Sequence, residues 1–194
     1  MRTNTPRTSP ASQGAGSNYK NLRIEPPDHG IGRSRGGLST KIHQLVDGAG
    51  LPLVILVGPG QAGDSPVFEH LLNHLKVARH GGGKPRTRPQ RVRADKAYSS
   101  RHNRTLLRKR RIGAVIPEPR DQQGHRKRRG SAGGRPPAFN AEDYKGRNVV
   151  ERRFCDVKQW RGLATRYDKL AIVYRGAAVL NAIVAWTRRL SDMP

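Results

Sequence analysis

The stretch that decides the fold of this chain is Tyr144-Lys-Gly-Arg147-Asn-Val-Val-Glu151-Arg-Arg-Phe-Cys-Asp-Val-Lys158. At the helical rotation of about 100° per residue, four polar residues fall within about 60° of one another: Tyr144, Arg147, Glu151 and Lys158. An apolar edge beside this stripe predicts packing on a core, and it consists of Val150, Phe154 and Val157. An acid between two bases can direct a carboxylate at a phosphate or a metal. An ordinary amphipathic helix, with an ion pair between Arg147 and Glu151, is the alternative interpretation.

The charge of the chain predicts a polyanionic partner. Its 194 residues include 38 Lys and Arg against 14 Asp and Glu, which gives a formal net charge of +24. The excess is spread over most of the sequence, and nucleic acid is the commonest partner of such a protein. With aromatic residues at only 5%, a stacking platform for single strands is poorly supported.

The location predicted from the sequence is the cytoplasm, in contact with the nucleoid. No secretory signal, membrane span or basic amphipathic helix with an aromatic face stands out, so no membrane partner is expected. Cys155 is the single cysteine. It excludes a disulfide framework and a Cys-based zinc site, and we interpret it as a half-buried spectator thiol.

Composition divides the chain into two parts. Residues 1–37 are rich in Thr, Ser, Pro, Gly and Arg, and we expect them to be mostly disordered. Residues 38–190 are predicted to form one α/β domain that contains a basic linker at 117–140. The linker carries four consecutive bases, for which we expect contact with a DNA backbone rather than a purely solvated run. These bases are Arg126, Lys127, Arg128 and Arg129.

Strands and helices alternate in the predicted domain. A hairpin of two strands comes first, at 38–46 and 51–57, joined by the turn signal Asp47-Gly-Ala-Gly50. The second strand is apolar enough to be covered on both faces. A helix follows, capped by Asp64 or Ser65 and running to Ala78. Next we predict a short strand from Arg91 that ends at Asp95, a helix at 101–111 capped by a serine of Ser99-Ser100, a strand at 112–116 and a closing helix at 169–190. The closing helix is expected to cover the core through Ile172, Val179, Ala182, Ile183 and Trp186.

Asp95 lies at the end of the third predicted strand. In α/β sheets, active-site residues gather at the carboxyl ends of strands. A helix cap is an equally consistent interpretation, because acids are favoured there as well.

Several of these motifs together resemble the bacterial insertion-sequence DDE transposases. The spacing Tyr144-x2-Arg147-x3-Glu151-x6-Lys158 matches their Tyr-Arg-Glu-Lys signature without a gap. Asp95-Lys-Ala-Tyr98 sits where that family places its second acid. The stretches 28–43 and 160–169 are similar too, so the resemblance runs from about residue 26 to the C-terminus.

The resemblance implies a ribonuclease-H-like core, an α/β fold in which helices flank a mixed sheet. Acids in such a core hold two Mg²⁺ ions that catalyse in-line phosphoryl transfer on DNA at transposon ends. Asp95 and Glu151 would be the catalytic acids and metal ligands. Arg147 and Lys158 would meet transposon-end phosphates, and Tyr144 would help to position the DNA. The partners would be double-stranded terminal repeats and target DNA, with a homodimer as a further expectation.

One part of the family pattern has no visible counterpart. The first acid of the family lies on the first, central strand, upstream of the region that matches Asp28. Residues 1–25 contain no strand-like run and only Glu25 as an acid, while Asp47 and Asp64 occupy positions not assigned to catalysis. We therefore expect a truncated or frameshifted copy that lacks this strand and the usual N-terminal helical DNA-binding region. Two unpaired sheet edges, poor Mg²⁺ binding and impaired strand transfer would follow.

A second hypothesis belongs to a different functional class. The chain would then be a non-catalytic, basic DNA-binding remnant that competes with the full-length transposase and inhibits it. An RNA-binding or ribosome-associated protein would explain the charge but not the spaced motifs.

Overall fold

A β-hairpin lies at the centre of the computed structural model, which describes residues 19–192. Strands β1 (Gly32–Ser34), β2 (Gly37–Val46) and β3 (Pro52–Pro59) form an antiparallel sheet in that order. The predicted hairpin is confirmed in β2 and β3. Regular structure was not expected before Leu38, so β1 is a correction to that prediction. Residues 1–18 of the same segment lie outside the described part of the chain.

The remaining elements follow in an alternating order, as predicted. Strands β4 (Arg91–Arg93) and β5 (Gly113–Val115) form a separate parallel sheet. The helices are α1 (Val67–His74), α2 (Arg101–Lys109), α3 (Arg120–Arg128), α4 (Ala141–Lys145), α5 (Asn148–Gln159), α6 (Arg161–Ala164) and α7 (Ala171–Ser191). We predicted one mixed sheet, but the strands of residues 19–192 form two small sheets that do not pair with each other.

The tight turn between β2 and β3 is fixed by local chemistry. Oδ1 of Asp47 accepts hydrogen bonds from the backbone N–H groups of Ala49, at 2.9 Å, and Leu51, at 2.8 Å. This arrangement is the usual way in which an aspartate stabilises a turn. Gly50 has a φ of 90°, which suits a residue without a Cβ atom. The hairpin therefore forms from residues adjacent in sequence.

Strand β3 is buried on both faces, as its apolar run predicted. Ile55 and Val57 pack in a cluster with α7, whereas Val54 and Leu56 pack in a cluster with α1. Successive side chains of a strand point to opposite faces, so one short strand serves two core layers. A third cluster joins α1 and α2 to β4 and β5.

Helix α1 is shorter than predicted and begins without a side-chain cap. It ends at His74 rather than Ala78, and its first residue follows Pro66. The carboxylate of Asp64 does not cap the helix, and it accepts a hydrogen bond from Lys41. Beyond the helix, Val77 exchanges two backbone hydrogen bonds with Arg86, which draws the chain into an extended conformation.

Asp95 lies just beyond a strand end and also acts as a helix cap. The residue follows the end of β4, and its carboxylate also accepts the N–H of Lys96 to cap the 3₁₀ turn Lys96–Tyr98. Ser100 caps α2 as predicted, because its hydroxyl accepts the N–H of Asn103 at 3.1 Å.

The basic linker predicted at 117–140 contains regular structure, which corrects the prediction. Helix α3 occupies most of its first half, and the 3₁₀ turn Gly130–Gly133 follows. Asp121 lies in the first turn of α3 and four basic residues lie in the last turn, which is the favourable arrangement relative to the helix dipole. The opening motif is also interrupted: α4 and α5 are separated by Gly146 and Arg147, where glycine disfavours a continuous helix.

Helix α7 closes the core, but through a different face from the predicted one. Its fully buried residues are Ala171, Tyr174, Ala178, Asn181 and Ala182. Of the five predicted residues, only Ala182 is fully buried, while Ile183 is 51% exposed. Small alanines allow the helix to approach β3, which leaves the larger side chains at the margins. Within residues 19–192, no helix has the length and apolar character needed to cross a membrane.

Candidate active site

The predicted catalytic residues Asp95 and Glu151 line the same cavity, which has a volume of about 350 Å³. We call it the acid cavity. Asp95 comes from the segment after β4, and Glu151 comes from the first turn of α5. Arg147, at the start of α5, lines it as well. Two motifs that were recognised separately in the sequence therefore meet at one place.

The acid cavity runs along the edges of two strands. Consecutive residues line it from Lys41 to Leu45 on β2 and from Val92 to Asp95 at β4. Since consecutive side chains alternate between faces, such a lining indicates a strand edge rather than one face of a sheet. Among the described strands, residues 40–46 of β2 pair only with β3, and β4 pairs only with β5. The cavity therefore separates two unpaired edges.

Buried polar atoms of β2 lie beside this cavity without partners among residues 19–192. They are Nε2 of His43 and both amide atoms of Gln44. Burial lowers the pKa of His43 to about 4; the nearby Asp64 opposes this shift and Lys41 adds to it. His43 is therefore neutral at physiological pH. The other walls are apolar and come from α1 and α5, through Phe68, Leu71, Leu72, Val150 and Phe154.

Asp64 is a third acid on the cavity wall, and the sequence analysis did not select it. Its carboxylate lies 2.9 Å from Nζ of Lys41, and each side chain is 37% exposed. Lys41 also donates to the carbonyl of Ala62, at 2.7 Å. Asp64 closely follows a buried strand, so the rule that singled out Asp95 could have found it too.

Each of the three acids has a partner of its own. Asp64 is paired with Lys41, Glu151 accepts a hydrogen bond from Arg147, and Asp95 accepts one from the backbone of Lys96. No group of three or more His, Cys, Asp or Glu side chains in residues 19–192 is placed to hold a metal ion. The acids as arranged do not fit a centre for two divalent ions.

Tyr144 lies outside the lining of the acid cavity but supports one of its residues. The guanidinium carbon of Arg147 lies 5.6 Å from the centroid of the Tyr144 ring, a distance suited to a cation–π contact. The Phe139 ring packs on the Tyr144 ring at a centroid distance of 5.4 Å. Arg147 is thus held between an aromatic ring and the carboxylate of Glu151, so the predicted i, i+4 ion pair is present.

Lys158 does not join the acids. It lines another cavity, of about 360 Å³, together with residues that include Thr40 and Leu163. The remaining faces of α5 carry Cys155 and Arg153. Cys155 is exposed rather than half-buried. Arg153 is only 5% exposed and donates to the side chain of Asn181 on α7.

Asp143 is a positioning residue that the sequence analysis missed. It lies on α4, and its carboxylate accepts hydrogen bonds from Arg91, at 2.6 Å, and from Nε of Arg93, at 2.7 Å. These two hydrogen bonds, chiefly the one from Arg91, hold the pKa of Asp143 below its ordinary value. The contact ties α4, the helix just before the one that carries Glu151, to the strand that leads to Asp95. Arg91 and Arg93 are two residues apart on β4, a spacing that could have indicated a shared partner.

The predicted basic run lies on α3 and on the residue after it, away from the acid cavity. Arg126 is half-buried and pairs with Glu118. Lys127, Arg128 and Arg129 are exposed. The structure therefore distributes the predicted DNA-contacting residues over separate surfaces.

Glu25 is hydrogen-bonded to the first turn of α7. It is the acid that precedes the part of the sequence resembling the family. Its two carboxylate oxygens accept the N–H groups of Ala171, at 2.7 Å, and Ile172, at 2.9 Å. His29 also contacts the carboxylate, at 2.8 Å. Although burial opposes it, the bonds to Ile172, Ala171 and His29 together lower the pKa of Glu25. This acid anchors a helix and does not line the acid cavity.

Known proteins that are similar to this chain are transposases. A family model described as a transposase DDE domain matches residues 8–186. A Brucella ovis protein whose name assigns it as a transposase of insertion sequence element IS6501 is 30% identical over 151 residues, covering 78% of this chain and 100% of that protein. A Burkholderia cepacia protein assigned in the same way to IS402 is 29% identical over 162 residues, covering 82% of this chain and 68% of that protein. No solved structure matches significantly.

Proposed function

Because the chain belongs to the family of bacterial insertion-sequence DDE transposases, we propose that its acid cavity corresponds to the DNA-cleaving centre of that family. Asp95 and Glu151 are the catalytic acids in this proposal, and residues 38–190 are the catalytic domain. The observation that supports it is the convergence of the two acids, taken from separate motifs, on one cavity. Arg147 lies beside them, where a cation can neutralise a phosphate.

The proposal includes a low capacity for strand transfer. Two divalent ions stay close together only when carboxylates bridge them. The third acid in the cavity, Asp64, is neutralised by Lys41, and the described residues contain no cluster suited to a metal. Mg²⁺ would have to displace existing partners of these acids in order to bind. This is why we propose that DNA cleavage by this chain is impaired.

The gap between β2 and β4 is the proposed place of the first strand of a ribonuclease-H-like sheet. Both edges face the acid cavity, and buried polar atoms of His43 and Gln44 lie there without partners among the described residues. A strand in this gap would pair with both edges and unite the two sheets into one mixed sheet. An acid on such a strand would enter the cavity next to Asp95.

Contact with double-stranded DNA is assigned to the basic residues of several surfaces. The formal net charge of +24 supports binding to phosphates over much of the molecule. The residues proposed to contact transposon ends or target DNA are Arg126, Lys127, Arg128, Arg129, Tyr144, Arg147 and Lys158. A homodimer remains a prediction.

A cleavage assay tests the catalytic proposal. The purified chain is incubated with Mg²⁺ and with duplex fragments that carry the DNA flanking its gene on both sides. We expect binding without appreciable nicking. Efficient nicking that disappears in Asp95→Ala and Glu151→Ala would confirm the two acids and contradict the impairment.

The second candidate function is inhibition of an active transposase by a basic chain that occupies its DNA. The charge favours this function because binding to phosphates does not require the acids. Adding the chain to a transposition reaction of a full-length relative should reduce product formation. A preference for terminal-repeat DNA over random duplex would show a specific inhibitor, whereas equal binding to both would show only electrostatic competition.

A further inference from the structure

A second cleft, outside the acid cavity, is lined mainly by arginine side chains. It is bounded by α2, by α3 and by the loop that follows α3, and its volume is about 560 Å³. We call it the arginine cleft. Arg101, Arg104 and Arg108 are spaced by three and four residues, which places them along one side of α2. The other arginines of the lining are Arg126, Arg129 and Arg135.

Two of these six guanidinium groups are used within the protein. Arg104 donates to the hydroxyl of Ser99, at 2.8 Å, and to the carbonyl of Ile116, at 2.9 Å. Arg126 pairs with Glu118, which is the one carboxylate in the lining. These contacts hold the walls of the cleft in place, and the pair with Arg126 neutralises the carboxylate of Glu118.

The other four guanidinium groups have no hydrogen-bond acceptor among residues 19–192, and all four residues are exposed. They are Arg101, Arg108, Arg129 and Arg135. Like charges held around one cleft repel one another, and a polyanion that enters the cleft relieves this repulsion. Guanidinium groups match phosphate oxygens in geometry as well as in charge.

We propose that the arginine cleft binds the backbone phosphates of duplex DNA. His125 supplies the only aromatic ring in its lining, so the cleft lacks the aromatic platform on which unpaired bases stack. The inference rests on the proposed action on DNA and deepens it by naming a second surface. It adds Arg101, Arg108 and Arg135 to the residues that contact DNA.

The arginine cleft and the acid cavity are joined through the residues that follow Asp95. Ser99 is buried, and its hydroxyl donates to Gln122 of α3 at 3.1 Å. Gln122 donates in turn to the backbone carbonyl of Ser99. This exchange couples α3 to the turn that Asp95 caps. DNA held in the arginine cleft would therefore contact a helix that is hydrogen-bonded to the segment carrying a proposed catalytic acid.

The test compares two variants that lose the same charge. The cleft variant carries Arg→Gln at positions 101, 108, 129 and 135, and the control variant carries Arg→Gln at the exposed positions 33, 35, 188 and 189. Affinity for a 30-base-pair duplex is measured as a function of salt. Each lost phosphate contact should reduce the magnitude of the negative slope of log K against log[salt] by about 1. We therefore expect this magnitude to decrease by about 3–4 in the cleft variant and by less than about 1 in the control.

Circular dichroism tests whether both variants are folded. If the cleft variant does not fold, the double variant Arg108→Gln/Arg129→Gln takes its place. Equal slopes for the cleft and control variants would overturn the inference, and so would tighter binding of a single strand of the same length. Failure of the unaltered chain to bind any duplex would instead overturn the proposed function itself. The two failures are therefore distinguishable.

Discussion

The ammonium nitrogen of Lys41 lies 2.9 Å from the carboxylate of Asp64, inside the acid cavity. This contact places a cation beside Asp64, which lines the same cavity as Asp95 and Glu151. Both side chains are partly exposed, so the pair contributes only about 0–1 kcal/mol to stability. Its main effect is electrostatic, because it cancels one of the negative charges that would attract a metal ion.

Removing this cation should increase metal binding. We expect Lys41→Met to raise the affinity for Mn²⁺ by about tenfold, because a positive charge leaves a partly enclosed site. Isothermal titration calorimetry measures the change, and Lys76→Met, which removes an exposed lysine, is the control. Adding Asp64→Asn to Lys41→Met should abolish the gain. An unchanged affinity in Lys41→Met would show that Lys41 does not limit metal binding.

The contact of Asp143 with Arg91 and Arg93 should control the mobility of α5. In Asp143→Asn we expect faster hydrogen exchange at residues 148–159, with exchange in β3 unchanged. Asp121→Asn, which alters an exposed acid of α3, is the matched control. The lowered pKa of Asp143 means that the contact is intact at neutral pH and is lost as the pH falls through that pKa, below the ordinary value of 3.8. A uniform increase in exchange over the whole chain would contradict this local role.

Glu25 should contribute to stability in a pH-dependent way. Glu25→Gln removes a charged acceptor from the first turn of α7, and we expect a loss of about 1–2 kcal/mol at pH 7. Because the folded pKa lies below the ordinary value of 4.5, this contribution is present above that pH and disappears as the pH falls through the folded pKa. Chemical denaturation at pH 7 and pH 3 measures both effects. Glu142→Gln, which alters an exposed acid, should cost less than about 0.5 kcal/mol.

The buried contact between Arg153 and Asn181 should show strong coupling. Asn181→Leu leaves a buried guanidinium without its acceptor, and we expect a loss of about 1.5–3 kcal/mol in the free energy of unfolding. The double variant Arg153→Met/Asn181→Leu should be more stable than Asn181→Leu alone, because it also removes the buried guanidinium that has lost its hydrogen-bond acceptor. Denaturation of the two single variants and the double variant completes the cycle. Additive losses would show that the two side chains act independently.

Elements with strong local signals could be predicted from the sequence. The hairpin followed from the turn at Asp47 and Gly50, and the buried strand β3 followed from its apolar run. Ser100 was predicted as a helix cap because its chemistry is local. Helix α3 was missed because Pro117 and several glycines suggested a linker, whereas the ion pair between Arg126 and Glu118 is visible only in the folded chain.

The two acids of the proposed site could be predicted, but their surroundings could not. Asp95 and Glu151 belong to motifs whose spacing is readable. Asp64 and Asp143 act through partners far away in sequence, Lys41 for the first and Arg91 and Arg93 for the second. Such pairings depend on how β2, β4 and α4 are placed relative to one another, which no local pattern reports. The buried face of α7 was misjudged for the same reason, since close approach to β3 selects alanine over isoleucine.

The double burial of β3 has a consequence for synthesis on the ribosome. Its Val54 and Leu56 face can be covered soon after translation, because α1 follows within a few residues. Its Ile55 and Val57 face must wait for α7, which ends at Ser191. At a bacterial elongation rate of about 5–20 residues per second, this face stays uncovered for roughly 7–27 s. Nascent chains therefore expose one apolar face of β3 throughout this interval, during which it is open to aggregation or to chaperone binding.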